Sequence, residues 1–131
     1  ATALITLAME AQNAKNYEVA LETWEKISQT LPEIKVEASL GMAQALTSME
    51  QGKKAIETLE TILPKLDNLY IINVNSQIAT IAENLGDAPR AITAYEAIIE
   101  FAGKFTMPVD QEKVEFWKAR VAALKAQAPK S

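Results

Sequence analysis

Apolar side chains along this chain recur at steps of three and four, the period of one helical face, in six successive stretches and again in a seventh near the end. Three of these stretches vary one theme: NYEVALETWEKI from Asn16, GKKAIETLETIL from Gly52 and APRAITAYEAII from Ala88. Each places an alanine before a branched aliphatic, a large apolar residue three further on, and an aliphatic three beyond that. The anchors are Ala20-Leu21-Trp24-Ile27, Ala55-Ile56-Leu59-Ile62 and Ala91-Ile92-Tyr95-Ile98, and the alanines recur after 35 and then 36 residues. Twelve residues before each stands another alanine: Ala8, Ala43 and Ala79. Paired alanines at that spacing mark where two antiparallel helices cross, because a larger side chain would push the axes apart.

Breaks between these faces define the elements. Lys15-Asn16, Gln51-Gly52 and Gly86-Asp87 interrupt the pairs, with Gly86 suited to a left-handed helix end, Asp87 to a cap and Pro89 to the first turn that follows. Pro32 and Pro64 separate one pair from the next, since neither can sit inside a helix. Thr30-Leu31-Pro32-Glu33 has the spacing of a capping box. Six helices are predicted, at 1–14, 17–30, 33–50, 53–65, 69–85 and 88–102. A seventh over 110–127 carries Val114, Trp117, Val121 and Leu124 at steps of three, four and three, and is read as a one-sided cover for the last pair. Trp117 and its neighbour Phe116 cannot both face inward, which makes the outward one a candidate oligomer contact. The uncharged stretch Asn68 to Ala82 is read as core, and Phe101 to Pro108 as an apolar loop tucked beneath the seventh helix.

The repeat resembles the tetratricopeptide repeat over nearly the whole chain. Leu4, Leu7, Ala8, Ala11, Tyr17, Ala20, Trp24, Ile27 and Pro32 stand at that family's signature places in the first repeat. Ile78, Ala79, Ala82, Gly86, Asp87, Ala91, Tyr95 and Ile98 do so in the third. The second, with Met42, Ala43, Leu46, Ala55, Ile56, Leu59 and Ile62, lacks the usual aromatic before Ala55. The resemblance implies an all-α fold, a right-handed superhelical stack of antiparallel helix pairs with about seven helices. It would form one domain over 1–131 with repeats at about 1–34, 35–68 and 69–104 and a capping helix.

The same resemblance implies a concave groove lined by the first helix of each pair. Its places here hold Thr2, Ile5, Met9, Gln12 and Asn13, then Glu37, Leu40, Gln44, Thr47 and Ser48, then Asn73, Ser76, Thr80, Glu83 and Asn84. Apolar spots among amides and hydroxyls suit a peptide, whose backbone both donates and accepts. The expected role is a non-catalytic scaffold for a protein or peptide partner. The alternative is a self-assembly module, possible as a homo-oligomer, that stacks through its open N-terminal end or its capping helix. Family members that grip acidic C-terminal tails present cations. The matching places here, Ile5, Met9, Gly41, Asn73 and Gln77, hold none, so a buried carboxylate would go unpaired.

Composition narrows the chemistry. The chain has 131 residues, no histidine and no cysteine, which removes the commonest general base, every thiolate nucleophile, disulfides and zinc–thiolate sites. No phosphate-cradling glycine loop and no calcium-loop spacing occurs, so no metal or cofactor is expected and catalysis is not. A net charge of −4 argues against nucleic acid. Residues 1–103 are net acidic and 104–131 net basic, a difference that could steer an acidic partner. No apolar run approaches a membrane span. The absence of cysteine suits both the cytosol and the bacterial periplasm and chooses neither. The opening Ala1-Thr2-Ala3-Leu4-Ile5, already in helical spacing without a cap, predicts a piece of a longer protein.

Overall fold

A computed structural model describes residues 2–104 and 111–127. They form seven α-helices and two short 3-10 turns, with no strand among them. The chain divides into two compact units, Ala1–Lys65 and Leu66–Ser131. The first contains α1 (Thr2–Asn13), α2 (Tyr17–Thr30), a 3-10 turn (Pro32–Ile34), α3 (Lys35–Ser48), α4 (Gly52–Ile62) and a second 3-10 turn (Leu63–Lys65). The second contains α5 (Asn68–Asn84), α6 (Ala88–Lys104) and α7 (Gln111–Gln127).

The alanines do what their spacing demands. Ala8, Ala20, Ala43, Ala55, Ala79 and Ala91 are all completely buried. In the first unit Ala8, Ile27 and Ala38 form one cluster and Ala11, Ala20 and Ala45 another. Residue numbers rise along α1 and α3 as they fall along α2, so α2 lies antiparallel between them. In the second unit α6 packs against both α5 and α7. The core of α5 and α6 holds Val74, Ile78, Ala79, Ala82, Ala91, Tyr95 and Ile98, so one face of the uncharged stretch of α5 is interior, while Asn73 and Thr80 on it are exposed and Tyr70, Ile71 and Ile72 half-buried.

Three turns repeat one backbone design. Lys15, Glu50 and Gly86 adopt positive φ of 63°, 62° and 75°, at the same 35- and 36-residue spacing as the alanines. The residue after each donates to a carbonyl five back: Asn16 to Ala11, Gln51 to Leu46 and Asp87 to Ala82, each at 2.8 Å. Lys15, Glu50 and Gly86 donate to Gln12, Thr47 and Glu83, each at 3.0 Å. This doubly bonded left-handed ending satisfies carbonyls that a helix terminus otherwise leaves unpaired. Asp87 then caps α6, its Oδ1 accepting from Arg90 N at 3.2 Å.

Only the third turn has glycine at the left-handed position, where an L side chain costs roughly 1–2 kcal/mol. Nothing lies within 4 Å of a Cβ built on Gly86, so Gly86→Ala tests backbone strain alone. It is expected to lower stability by about 1 kcal/mol, and Glu50→Gly to raise it by a similar amount. Urea unfolding followed by circular dichroism reads both, and equal midpoints would rule the account out.

Several boundaries differ from the sequence reading. Thr30 forms no capping box: its hydroxyl donates to Lys26 O at 2.6 Å, and Pro32 opens a 3-10 turn that delays α3 to Lys35. Helix α4 ends at Ile62 and passes into a 3-10 turn around Pro64. Phe101 to Lys104, read as the start of a loop, continue α6, with Phe101 half-buried. The rest of the expected loop, to Pro108, and the expected start of the seventh helix at residue 110 lie outside the described residues. Helix α7 is also not one-sided. Trp117 is buried while Phe116 is 56% exposed, and Ala119, Ala122 and Ala126 are exposed beside it.

Candidate functional site

The first helices of the pairs carry the residues expected to meet a partner, and the structure divides them into engaged and open ones. In the first unit Ile5 is half-buried against the Ala8–Ile27–Ala38 cluster, so its side chain belongs largely to the core. Met9, one turn on, is 54% exposed. Thr2, Asn13, Gln44, Thr47 and Ser48 are exposed and Leu40 is half-buried. Thr47 donates its hydroxyl to Ala43 O at 2.8 Å, which leaves its lone pairs outward. α1 and α3 run in the same sense, and Ala8 of one and Ala38 of the other share a cluster with Ile27 of α2. The open residues of this unit therefore lie on two neighbouring, parallel helices whose only charges are Glu10, Lys35 and Glu37.

Gln12 has a different occupation. Its Oε1 accepts from the indole Nε1 of Trp24 at 3.1 Å. Trp24 in turn lies over Gly41 of α3, closely enough that a Cβ there would sit 2.4 Å from its ring. The indole is thus held between α1 and α3 by one hydrogen bond and one missing side chain.

The second unit repeats this arrangement with charge. Tyr95 OH donates to Glu83 Oε2 at 2.7 Å, and the separation of twelve residues is the same as between Gln12 and Trp24. Arg120 of α7 donates to the other oxygen, Glu83 Oε1, and forms an ion pair with it. Burial pushes the Glu83 carboxyl up, but the hydrogen bonds from Tyr95 and Arg120 and the charge of Arg120 outweigh it, and the net shift is downward. Burial, then the bond to the Glu83 carboxylate, pushes the Tyr95 phenol up to about 12. Glu83 is therefore an ionised anchor that ties α5 to α6 and α7. A general acid needs the opposite shift. The remaining α5 positions are partly satisfied within their own helix. Gln77 Nε2 donates to Asn73 Oδ1 at 2.8 Å, and Thr80 donates to Ser76 O at 3.0 Å, while Asn73, Thr80 and Asn84 stay exposed.

These shifts set a pH dependence. A carboxyl whose folded value is depressed contributes stability above its unfolded value, here 4.5, and loses it as pH falls through the folded value. The stability advantage of the native chain over Glu83→Gln is expected at pH 7 and should shrink steadily below pH 4.5. A difference that does not change with acid would disprove the anchor. At the alkaline end, the raised phenol contributes fully below 10 and loses its contribution as pH rises toward about 12.

A shallow cleft of about 360 Å³ between α6 and α7 is lined by Glu96, Ile99, Glu100, Lys118 and Val121. Its two carboxylates already meet cations, Glu96 with Lys125 at 3.7 Å and Glu100 with Lys104 at 3.0 Å. Among the described residues no buried side-chain nitrogen or oxygen lacks a partner, and no group of three or more acidic side chains is gathered to hold a metal ion. No described helix is long and apolar enough to cross a membrane. In comparisons with known proteins, no family model, no curated protein and no solved structure matches the chain.

Neither the Gln12–Trp24 nor the Glu83–Tyr95 latch was anticipated. The signal for both is in the sequence: an aromatic with a polar hydrogen twelve residues after a Gln or Glu. In the middle pair the equivalent places hold Thr47 and Leu59, and Leu59 has nothing to donate.

Proposed function

We propose that this chain is a non-catalytic, tetratricopeptide-like scaffold that binds a peptide along α1 and α3 of its first unit. The observation that carries the reading is Met9, a flexible apolar side chain left 54% exposed on α1, while α3 of the same unit exposes the amide of Gln44 and the hydroxyls of Thr47 and Ser48. Methionine adapts to varied apolar partners, and an amide flanked by hydroxyls can pair with both halves of a peptide bond. The threefold turn design supports the likeness to a helical repeat, in which such first-helix faces serve recognition. Glu83 and its neighbours are assigned a lesser part, because Tyr95 and Arg120 already occupy that carboxylate.

The test is an array of short unstructured peptides probed with the whole chain, then with Met9→Lys, Gln44→Ala and, as a control on the second unit, Asn73→Ala. Peptides bound by the native chain are expected to weaken at least tenfold with Met9→Lys or Gln44→Ala, about 1.4 kcal/mol, and to be insensitive to Asn73→Ala. Binding unaffected by both first-unit changes, or no binding to any peptide, refutes the proposal.

A further inference from the structure

Trp24 engages only one end of the Gln12 amide. An indole nitrogen carries a hydrogen and no free lone pair, so the amide must turn its oxygen toward it. The 3.1 Å bond from Nε1 to Oε1 therefore fixes which way the amide points, with Nε2 and its two hydrogens directed away from the ring. Nε2 has no partner among the described residues. Gln12 is half-buried, and among the described residues no buried side-chain nitrogen or oxygen lacks a partner, so the unpartnered Nε2 lies at the surface.

The equivalent places on the other two first helices offer no such group. Thr47 spends its one hydrogen on Ala43 O, and Glu83 accepts from Tyr95 and Arg120 with nothing to donate. The amide of Gln44 on α3 is exposed and unheld, so a partner has to immobilise it. A donor already held in place loses less freedom on binding. Gln12 stands in the last turn of α1, three residues beyond the exposed Met9. The charges nearest to it along the chain, Glu10 and Lys15, are of opposite sign. No net cation stands there to meet a carboxylate, and a neutral main-chain carbonyl is the acceptor that fits.

On the reading of α1 and α3 as a peptide site, we infer that Gln12 is its specificity-determining donor. Nε2 bonds a main-chain carbonyl of an uncharged peptide segment, while an apolar side chain of that segment meets Met9. Trp24 acts through Gln12 as a positioning residue: its N–H holds the amide, and the missing side chain of Gly41 leaves room for its ring.

The test is an NMR titration of the isotopically labelled whole chain with an acetylated, amidated heptapeptide that has leucine at two positions and serine at the rest. The side-chain N–H signals of Gln12 should move and saturate together with the backbone signal of Met9. Gln12→Glu keeps an oxygen for the indole and loses the donor, and an uncharged peptide neither attracts nor repels the new carboxylate. It should raise the dissociation constant about tenfold, because one acceptor then faces another. The Trp24 indole N–H, still bonded, should stay slow to exchange with solvent, which shows the fold intact. Trp24→Phe should raise the constant about threefold by freeing the amide, and should add nothing in the Gln12→Glu background, where no donor remains to be oriented. Gln12 side-chain signals that stay fixed while Met9 saturates overturn the inference. So does native affinity in Gln12→Glu where Met9→Lys weakens binding, and both results leave the peptide site standing. A threefold effect of Trp24→Phe in both backgrounds overturns its positioning role. No movement of any α1 or α3 signal up to millimolar peptide overturns the inference and the peptide site together.

Discussion

Replacing Gly41 by valine is expected to destabilise the chain by about 2–3 kcal/mol, the cost of forcing bulk into a filled core. A Cβ at this position would lie 2.4, 2.6 and 2.7 Å from Cε2, Cδ2 and Nε1 of Trp24. Those atoms belong to a rigid ring, so no torsion at the far end of a flexible chain relieves the clash. The ring can retreat only by giving up its 3.1 Å hydrogen bond to Gln12 and its packing on the Ala8–Ile27–Ala38 cluster. Removing a glycine from a helix interior gains up to about 1 kcal/mol with alanine and less with a β-branched residue, so sterics decide the sign for valine. Urea denaturation gives the change directly. Shrinking the ring in the same molecule, with Trp24→Leu, should recover part of the loss, and the double-mutant cycle measures the coupling. A change below about 0.5 kcal/mol, the ordinary scatter of surface substitutions, would mean that Trp24 does not rest on Gly41.

Gly41 also shows where sequence reading stops. A helical glycine is locally unfavourable, so its presence signals a close approach, but the local sequence does not say by what. The partner is seventeen residues earlier, on another helix. The alanine pairs were legible because their meaning is periodic and self-consistent: Ala8 with Ala20, Ala43 with Ala55 and Ala79 with Ala91 are all fully buried. The turns were legible only in part. Gly86-Asp87 announces itself, whereas Lys15 and Glu50 take the same left-handed conformation with residues that rarely adopt it. There the tertiary requirement for a tight, doubly bonded reversal outweighs local preference.

Polar residues were the harder case. Helical spacing places Gln12 and Glu83 on the same face as Met9 and Thr80. Periodicity carries no information about side-chain reach, and Trp24, Tyr95 and Arg120 are long enough to claim those two acceptors. Thr30 misled for a related reason, since its hydroxyl can satisfy either the next turn's amide or the carbonyl four residues back, and it takes the carbonyl. For α7, marking the apolar residues that fit one face concealed a second apolar set beside it. Phe116 was the one member large enough to be noticed.

The other large effect expected is from Ile98→Ala. Ile98 is completely buried in α6, and truncation removes three carbons while leaving a cavity, for a loss of about 3–4 kcal/mol. Ile98→Val, one carbon smaller, should cost about 1 kcal/mol, and the graded pair separates true packing from a general weakening of the helix. The informative comparison is Ala91→Leu, seven residues earlier on the same helix and equally buried. If α6 were held only by the amount of apolar surface it covers, adding carbons at Ala91 would stabilise the chain as surely as removing them at Ile98 weakens it. If alanine is there because α5 and α6 must approach closely, the added carbons push the axes apart and Ala91→Leu also destabilises. The second outcome is expected, because Ala91 shares its core with the fully buried Ala79 and Ala82 of α5 and has no space to grow into. Stabilisation by Ala91→Leu in urea denaturation would show that the paired alanines are incidental, and would remove the physical basis for reading the 35- and 36-residue spacing as a packing repeat.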